Sequence, residues 1–170
     1  MASLVVDRDS LKATASSSRA PAELIDSRAI VAELDKLAKA HKGDDIELRS
    51  ALAQRLKTAL IDGRAKAEQL LLKDRHGRRC AERLCRMEDE IIRILFEFVC
   101  KHLYPSENPS ETEHMAVVAT GGYGRGLQAP GSDIDLLFLL PYKQTAWSES
   151  VAEAILYALW DTGLKVGHAT

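Results

Sequence analysis

Cysteine is scarce in this chain, and the three present, Cys80, Cys85 and Cys100, form no disulfide framework. They are odd in number and fall within one helical region, so the reading places the protein in the reducing cytoplasm. An excess of positive charge is also missing. The formal net charge is −2, which offers no general attraction to nucleic acid or to an acidic membrane. No long hydrophobic run occurs: the stretch from Ile134 to Pro141 is broken by Asp135 and is far too short to span a bilayer. The first 28 residues lack the continuous apolar segment of a secretory signal. Aromatic residues make up only 5% of the chain, and Trp147 and Trp160, which flank one helix, are expected to fill core rather than to stack on bases.

What is present is an ordinary balance for a folded domain. Of 170 residues, 46% are apolar and 28% charged, enough for one domain with a substantial core or for part of a larger protein. Residues 1–28, rich in Ala and Ser, read as a flexible tail. Residues 29–40 read as a short helix. From Asp44 to about Lys73, Leu48, Leu52, Leu56, Leu60, Leu70 and Leu71 recur at helical spacing, with Asp44 or Asp45 as N-cap. Gly63 inside that pattern permits either a kink or close helix packing. After a break at His76-Gly77, a second long helix runs from about Arg79 to Leu103, with Leu84, Met87, Ile91, Leu95 and Phe98 along one stripe. The two are expected to form an antiparallel hairpin.

The segment from Tyr104 to Glu113, with Pro105 and Pro109, reads as a loop and a domain boundary. Beyond it the period changes. Met115–Thr120 and Ile134–Leu140 read as strands, residues 148–161 as a helix stopped by Gly163, and Leu164–Ala169 as a third strand. The expected architecture is α+β: a helical region over 29–104, then, over 114–170, the first strands of a sheet domain left incomplete at its C-terminus.

The chemistry is concentrated in Gly121-Gly122-Tyr123-Gly124-Arg125-Gly126, followed by Ser132-Asp133-Ile134-Asp135 at the head of a strand. Glycines after a strand let the main chain turn tightly and approach a ligand that a Cβ would block. Their amides can then donate to phosphate oxygens. Side chains alternate along a strand, so Asp133 and Asp135 share one side while Ile134 and Leu136 point into the core. Two adjacent carboxylates repel, and a divalent cation removes that penalty; Mg²⁺ prefers a few carboxylates together with substrate phosphates. No Gly-Lys-Ser/Thr follows the glycines, which excludes a P-loop. A strand rather than a long helix comes next, which excludes a dinucleotide fingerprint.

These residues resemble the signature of the nucleotidyltransferase superfamily that includes DNA polymerase β. The longer run from Val118 to Gly126, with Ala129 to Leu139, is similar to the bifunctional uridylyltransferase/uridylyl-removing enzymes of bacterial nitrogen control. The resemblance implies a polymerase-β-like fold and transfer of UMP from UTP to a tyrosine of the PII signalling protein. It also implies removal by a separate downstream hydrolase domain. By position, Gly121 and Gly122 would hold the triphosphate, Ser132 would donate to phosphate, and Asp133 and Asp135 would hold Mg²⁺. Arg125 would either contact phosphate or pair with a helix acid. Relatives of this kind usually carry an acidic residue after the turn's third glycine, where this chain has Leu127-Gln128. A third carboxylate is also expected of the superfamily, and Glu149, Glu153 and Asp161 all sit on or at the end of a helix. The chain is therefore expected to be the N-terminal part of a longer enzyme and to be inactive in transfer by itself.

Other constellations are weaker. His76, Cys80 and Cys85 match no common zinc spacing. The cluster Arg75, Arg78, Arg79, Arg83 and Arg86 reads as a solvated helix face paired with Glu82, Glu88 and Asp89. His168, on the last strand, either approaches the site or simply packs. Two further readings stay open: another protein-directed nucleotidyltransferase, such as the adenylyltransferase of glutamine synthetase, or a non-catalytic nucleotide-binding remnant.

Overall fold

The computed structural model describes residues 5–7, 24–105, 114–141 and 143–170. Its helical layer begins at Asp26, whose carboxylate accepts from the Ala29 amide at 3.0 Å and caps α1, Ser27–Ala40. Asp44 does the same for α2, Asp45–Asp74, by accepting from the Glu47 amide at 3.1 Å. Asp45 and Glu47 in the first turn of α2 oppose the positive end of its dipole. Leu48, Leu52, Leu56 and Leu60 are buried, as their spacing requires. Arg75 ends α2 in the left-handed region at φ +51°, and α3, Gly77–Phe98, returns along it. A wider π turn, Val99–Leu103, with its i→i+5 bond from the Tyr104 N–H to the Val99 carbonyl, continues α3, so the segment read as one helix to Leu103 changes its winding at the last turn.

Gly63 serves close packing. A Cβ there would collide with the Met87 sulfur of α3 and press on Ile25. Further along, the Cys80 thiol faces the Ala67 carbonyl at 4.0 Å. Sequence numbers that fall on one helix while rising on the other mark the pair as antiparallel, as the spacing predicted. The stripe Leu84, Met87, Ile91, Leu95 and Phe98 is buried throughout.

One part of the helix reading is corrected. Glu88 and Asp89, expected on a solvated face, are 5% and 6% exposed. Arg78 pairs with Glu82 at 3.1 Å, as expected, whereas Arg83 pairs with Asp74 at 2.8 Å.

The sheet has the order β1-β2-β3-β4, formed by Val5–Asp7, Ala116–Ala119, Ile134–Leu139 and Val166–Ala169. The first two pairings are antiparallel and the last is parallel. Helix α4, Ala146–Asp161, makes the crossover between β3 and β4. Thr145 and Ser148 form a reciprocal capping box at its start, and Gly163, at φ +86°, stops it. Residues 5–7, assigned by composition to a tail, lie in the sheet. Three residues without periodicity carry no sequence signal, and pairing with β2 alone defines them. The rest of the segment before Leu24 lies outside the described residues, as does most of the loop expected at 104–113.

Ile134, Leu136 and Phe138 join the helices in one core, together with Val117, Ala119, Val151, Ile155 and Leu159. The opposite sheet face carries Asp135, Leu137 and Leu139, the last 55% exposed. Trp147 packs against the core, and its indole N–H donates to the Tyr104 carbonyl at 3.0 Å. Trp160, expected in the core, is instead 42% exposed, edge-on to Tyr157 and His168 on the outer side of α4.

Candidate nucleotide and metal site

The β2–β3 ladder ends where the Thr120 amide donates to the Asp135 carbonyl at 2.9 Å. The chain then turns through a single 3₁₀ turn, Tyr123–Arg125. Gly124 N–H bonds to the Thr120 carbonyl at 2.7 Å and Gly126 N–H to that of Tyr123 at 2.9 Å. Gly121 and Gly126 stand at φ +58° and +76°, which L side chains adopt at a cost. The amides of Gly121 and Gly122 and the Ser132 hydroxyl have no hydrogen-bond partner among the described residues. They are donors a phosphate oxygen can satisfy. Arg125 stays within the turn, its guanidinium donating to the Gly121 carbonyl at 3.1 Å; among the described residues no helix acid pairs with it. It lies exposed beside these amides.

Asp133 is exposed one residue before β3, and Asp135 is half-buried within it. Their shared parity puts both on the face turned away from the helices. Asp135 is paired in register with Gly167 of β4. A Cβ on Gly121 would strike one Asp135 carboxylate oxygen, and a Cβ on Gly167 would lie 2.7 Å from the other. The carboxylate therefore occupies a slot that two glycines keep open, one from the turn and one from the neighbouring strand. Among the described residues no group of three His, Cys, Asp or Glu side chains converges. Two carboxylates on one open face, beside free amide donors, fit a hard cation that completes its coordination with water and phosphate oxygens. His168 follows Gly167, so it faces the other side of the sheet, where its ring meets Trp160 at 6.1 Å. It takes no part in the slot.

Several residues that sequence reasoning passed over hold this turn in place. Tyr123 is 1% exposed and donates its hydroxyl to Asp89 of α3 at 2.7 Å. Burial keeps that phenol's pKa well above its usual value, with Asp89 adding to the effect. Gln128, 2% exposed, donates from its side-chain amide to the Asp133 carbonyl at 3.1 Å, and from its main-chain N–H to Ala81 of α3 at 3.3 Å. Glu88 lies beneath the turn. Burial is the main force raising its carboxyl to about 7, against the opposing pull of Arg64 and a hydrogen bond from Gln128. One Glu88 oxygen is buried with no partner among the described residues. A signal for Glu88 was present, since positions 84, 88, 91 and 95 share a helical face. Gly167 was also visible as a glycine inside a short strand, a mark of close approach. Gln128 stood out only as part of the departure Leu127-Gln128, which gave no sign of its role.

Residues 105–167 match the nucleotidyltransferase domain family. The chain is 67% identical over 145 residues to the bifunctional uridylyltransferase/uridylyl-removing enzyme of Bradyrhizobium diazoefficiens, covering 85% of this chain and 16% of that one. The enzyme of the same name from Rhodopseudomonas palustris is 62% identical over 148 residues, 87% of this chain and 16% of the relative. That from Nitrobacter hamburgensis is 61% identical over 145 residues, with shares of 85% and 16%. The chain thus spans about one-sixth of the length of these curated relatives. No solved structure matches it. Nucleotidyltransferase domains generally use divalent metal ions, and among the described residues no helix is long and apolar enough to cross a membrane. The chain is thus similar to the bifunctional uridylyltransferase/uridylyl-removing enzymes, and the segment that matches the nucleotidyltransferase domain includes the glycine turn and both aspartates.

Proposed function

We propose that this chain forms the nucleotide-binding part of a cytoplasmic enzyme that transfers UMP from UTP to a tyrosine of the PII signalling protein. The whole enzyme would also remove that group. In the transfer, the tyrosine oxygen forms a bond to the α-phosphorus of UTP, the bond from that phosphorus to the bridging oxygen breaks, and pyrophosphate leaves. The phenolic proton passes to a base or to solvent. In this reading the amides of Gly121 and Gly122 and the Ser132 hydroxyl orient the phosphates, and Arg125 adds positive charge beside them. Asp133 and Asp135 hold Mg²⁺, which supplies neutralisation of the charge on the transferring phosphates.

The observation that carries the proposal is the Asp135 carboxylate seated between Gly121 and Gly167, in a chain about two-thirds identical to named uridylyltransferases. Calorimetric titration of UTP into the chain tests it. Binding should require Mg²⁺ and should be lost in Asp133→Ala. Equal binding with EDTA present would return the protein to the non-catalytic reading, and a preference for ATP would favour an adenylyl-transferring relative.

A further inference from the structure

The two ends of the glycine turn are fixed to one helix. Ala81, Cys85, Glu88 and Asp89 of α3 lie at i, i+4, i+7 and i+8, a single helical face. Ala81 accepts from the Gln128 amide and Asp89 from the Tyr123 hydroxyl. The Cys85 thiol approaches the Tyr123 carbonyl at 4.0 Å. Glu88 lies buried on the same face.

Asp133 needs such a support. It stands ahead of the first β3 residue, Ile134, whose own N–H bonds to the Lys165 carbonyl at 2.9 Å. The nearest main-chain bond on the other side is from the Ser132 N–H to the Ala129 carbonyl at 3.0 Å. The Asp133 carbonyl accepts from the Gln128 side chain at 3.1 Å. Because that carbonyl is an acceptor, the Gln128 amide must present its nitrogen to it. One buried residue, tied to α3 through its main-chain N–H, thus fixes the peptide from which Asp133 extends.

We propose that Gln128 is a positioning residue for the metal: anchored to α3 through Ala81, it sets the place of Asp133 relative to Asp135. The inference rests on the reading of Asp133 as a metal ligand and adds a residue to it. Metal-binding constellations need side chains held to within about half an ångström. Asp135 has the slot between its two glycines, whereas exposed Asp133 has this anchor.

The test is binding of Mn²⁺ alone to the 170-residue chain, followed by the loss of the free-ion signal in electron paramagnetic resonance, with thermal melts run alongside. Asp133→Asn should abolish the site and so identify it. Gln128→Met keeps the volume and removes the donor. It should raise the Mn²⁺ concentration at half-saturation about five- to tenfold, the effect of one lost hydrogen bond, while a cooperative melt shows the chain still folded. A purely structural anchor would lower the melting temperature and leave the Mn²⁺ midpoint in place; that result overturns the inference and leaves the metal reading intact. Absence of Mn²⁺ binding in the unsubstituted chain overturns both. Should Gln128→Met not fold, Gln128→Leu, apolar and without a donor, takes its place with the same expectations.

Discussion

Replacing Glu88 by Gln should stabilise the protein, by an amount that depends on pH in a direction fixed by the buried carboxyl. Glu88 is 5% exposed and lies 3.9 Å from the half-exposed Arg64, and one of its oxygens lacks a partner among the described residues. Its carboxyl is raised from 4.5 to about 7. Between these values the folded protein keeps a proton that the unfolded chain has released, so stability falls as pH rises. Below about pH 4 both states are protonated and the group contributes no pH dependence. Above about pH 8 both are ionised and the folded state carries the full penalty, roughly 3 kcal/mol at 1.36 kcal/mol per pKa unit. Gln is neutral at every pH and still offers a carbonyl to the Gln128 amide. The variant should therefore gain little over the wild type at pH 4, less than about 1 kcal/mol at pH 5, and about 3 kcal/mol at pH 8. Urea unfolding followed by circular dichroism at four pH values measures this. With a typical slope of about 2 kcal/mol per molar, the midpoints should part by about 1.5 M at pH 8 and nearly coincide at pH 4. Other shifted groups, such as Glu97 and Asp35, contribute equally to both proteins and cancel in the difference. A gap that does not change with pH, or a less stable variant at pH 8, would refute the reasoning.

Gly167→Ala places a methyl where the Asp135 carboxylate sits and should weaken Mg²⁺-dependent UTP binding at least tenfold, about 1.4 kcal/mol; calorimetry showing unchanged affinity would mean that the slot is not needed. Tyr123→Phe removes the hydroxyl that donates to buried Asp89 and should cost about 1–3 kcal/mol. Urea denaturation at pH 7 would contradict this if the midpoint moved by less than the error of the measurement.

The elements that could be read from sequence are those whose own spacing defines them. Leu48 to Leu60 and Leu84 to Phe98 each repeat along one helix face, so two helices and their antiparallel return were legible. Ile134 to Leu139, alternating about Asp135, gave β3 and the side on which its carboxylate stands. Gly121 and Gly126 advertised their positive φ by being glycine. What could not be read depends on partners distant in sequence. Val5–Asp7 is a strand because β2 lies beside it. Trp160 is exposed because of the rotation of α4, which a residue type averaged over many proteins does not reveal. Gln128 acquires a role only where Ala81, Glu88 and Asp133 meet around it. Glu88 differs from these, since its position on the apolar stripe was visible and the general habit of charged residues to seek solvent was allowed to outweigh it.

That misreading points to where the fold departs from its own rules. A helix built to pack should carry an apolar residue at 88, and a buried carboxyl there costs about 3 kcal/mol at alkaline pH, a sizeable part of the 5–15 kcal/mol that typically holds a domain together. Sequences that specify one structure are consistent across levels, with the exceptions gathered at functional sites. Here the exceptions are adjacent: Glu88 and Asp89 break the pattern of α3, Gly121 and Gly126 stand at positive φ, and Gly167 interrupts a short strand. They surround one turn and one pair of carboxylates. On the proposed reading a ligand has to reach Asp133 and Asp135, so the open face of the sheet cannot hold them by packing. Their support must come from main chain at the sides and from the helix beneath, and that is where the unfavourable groups lie.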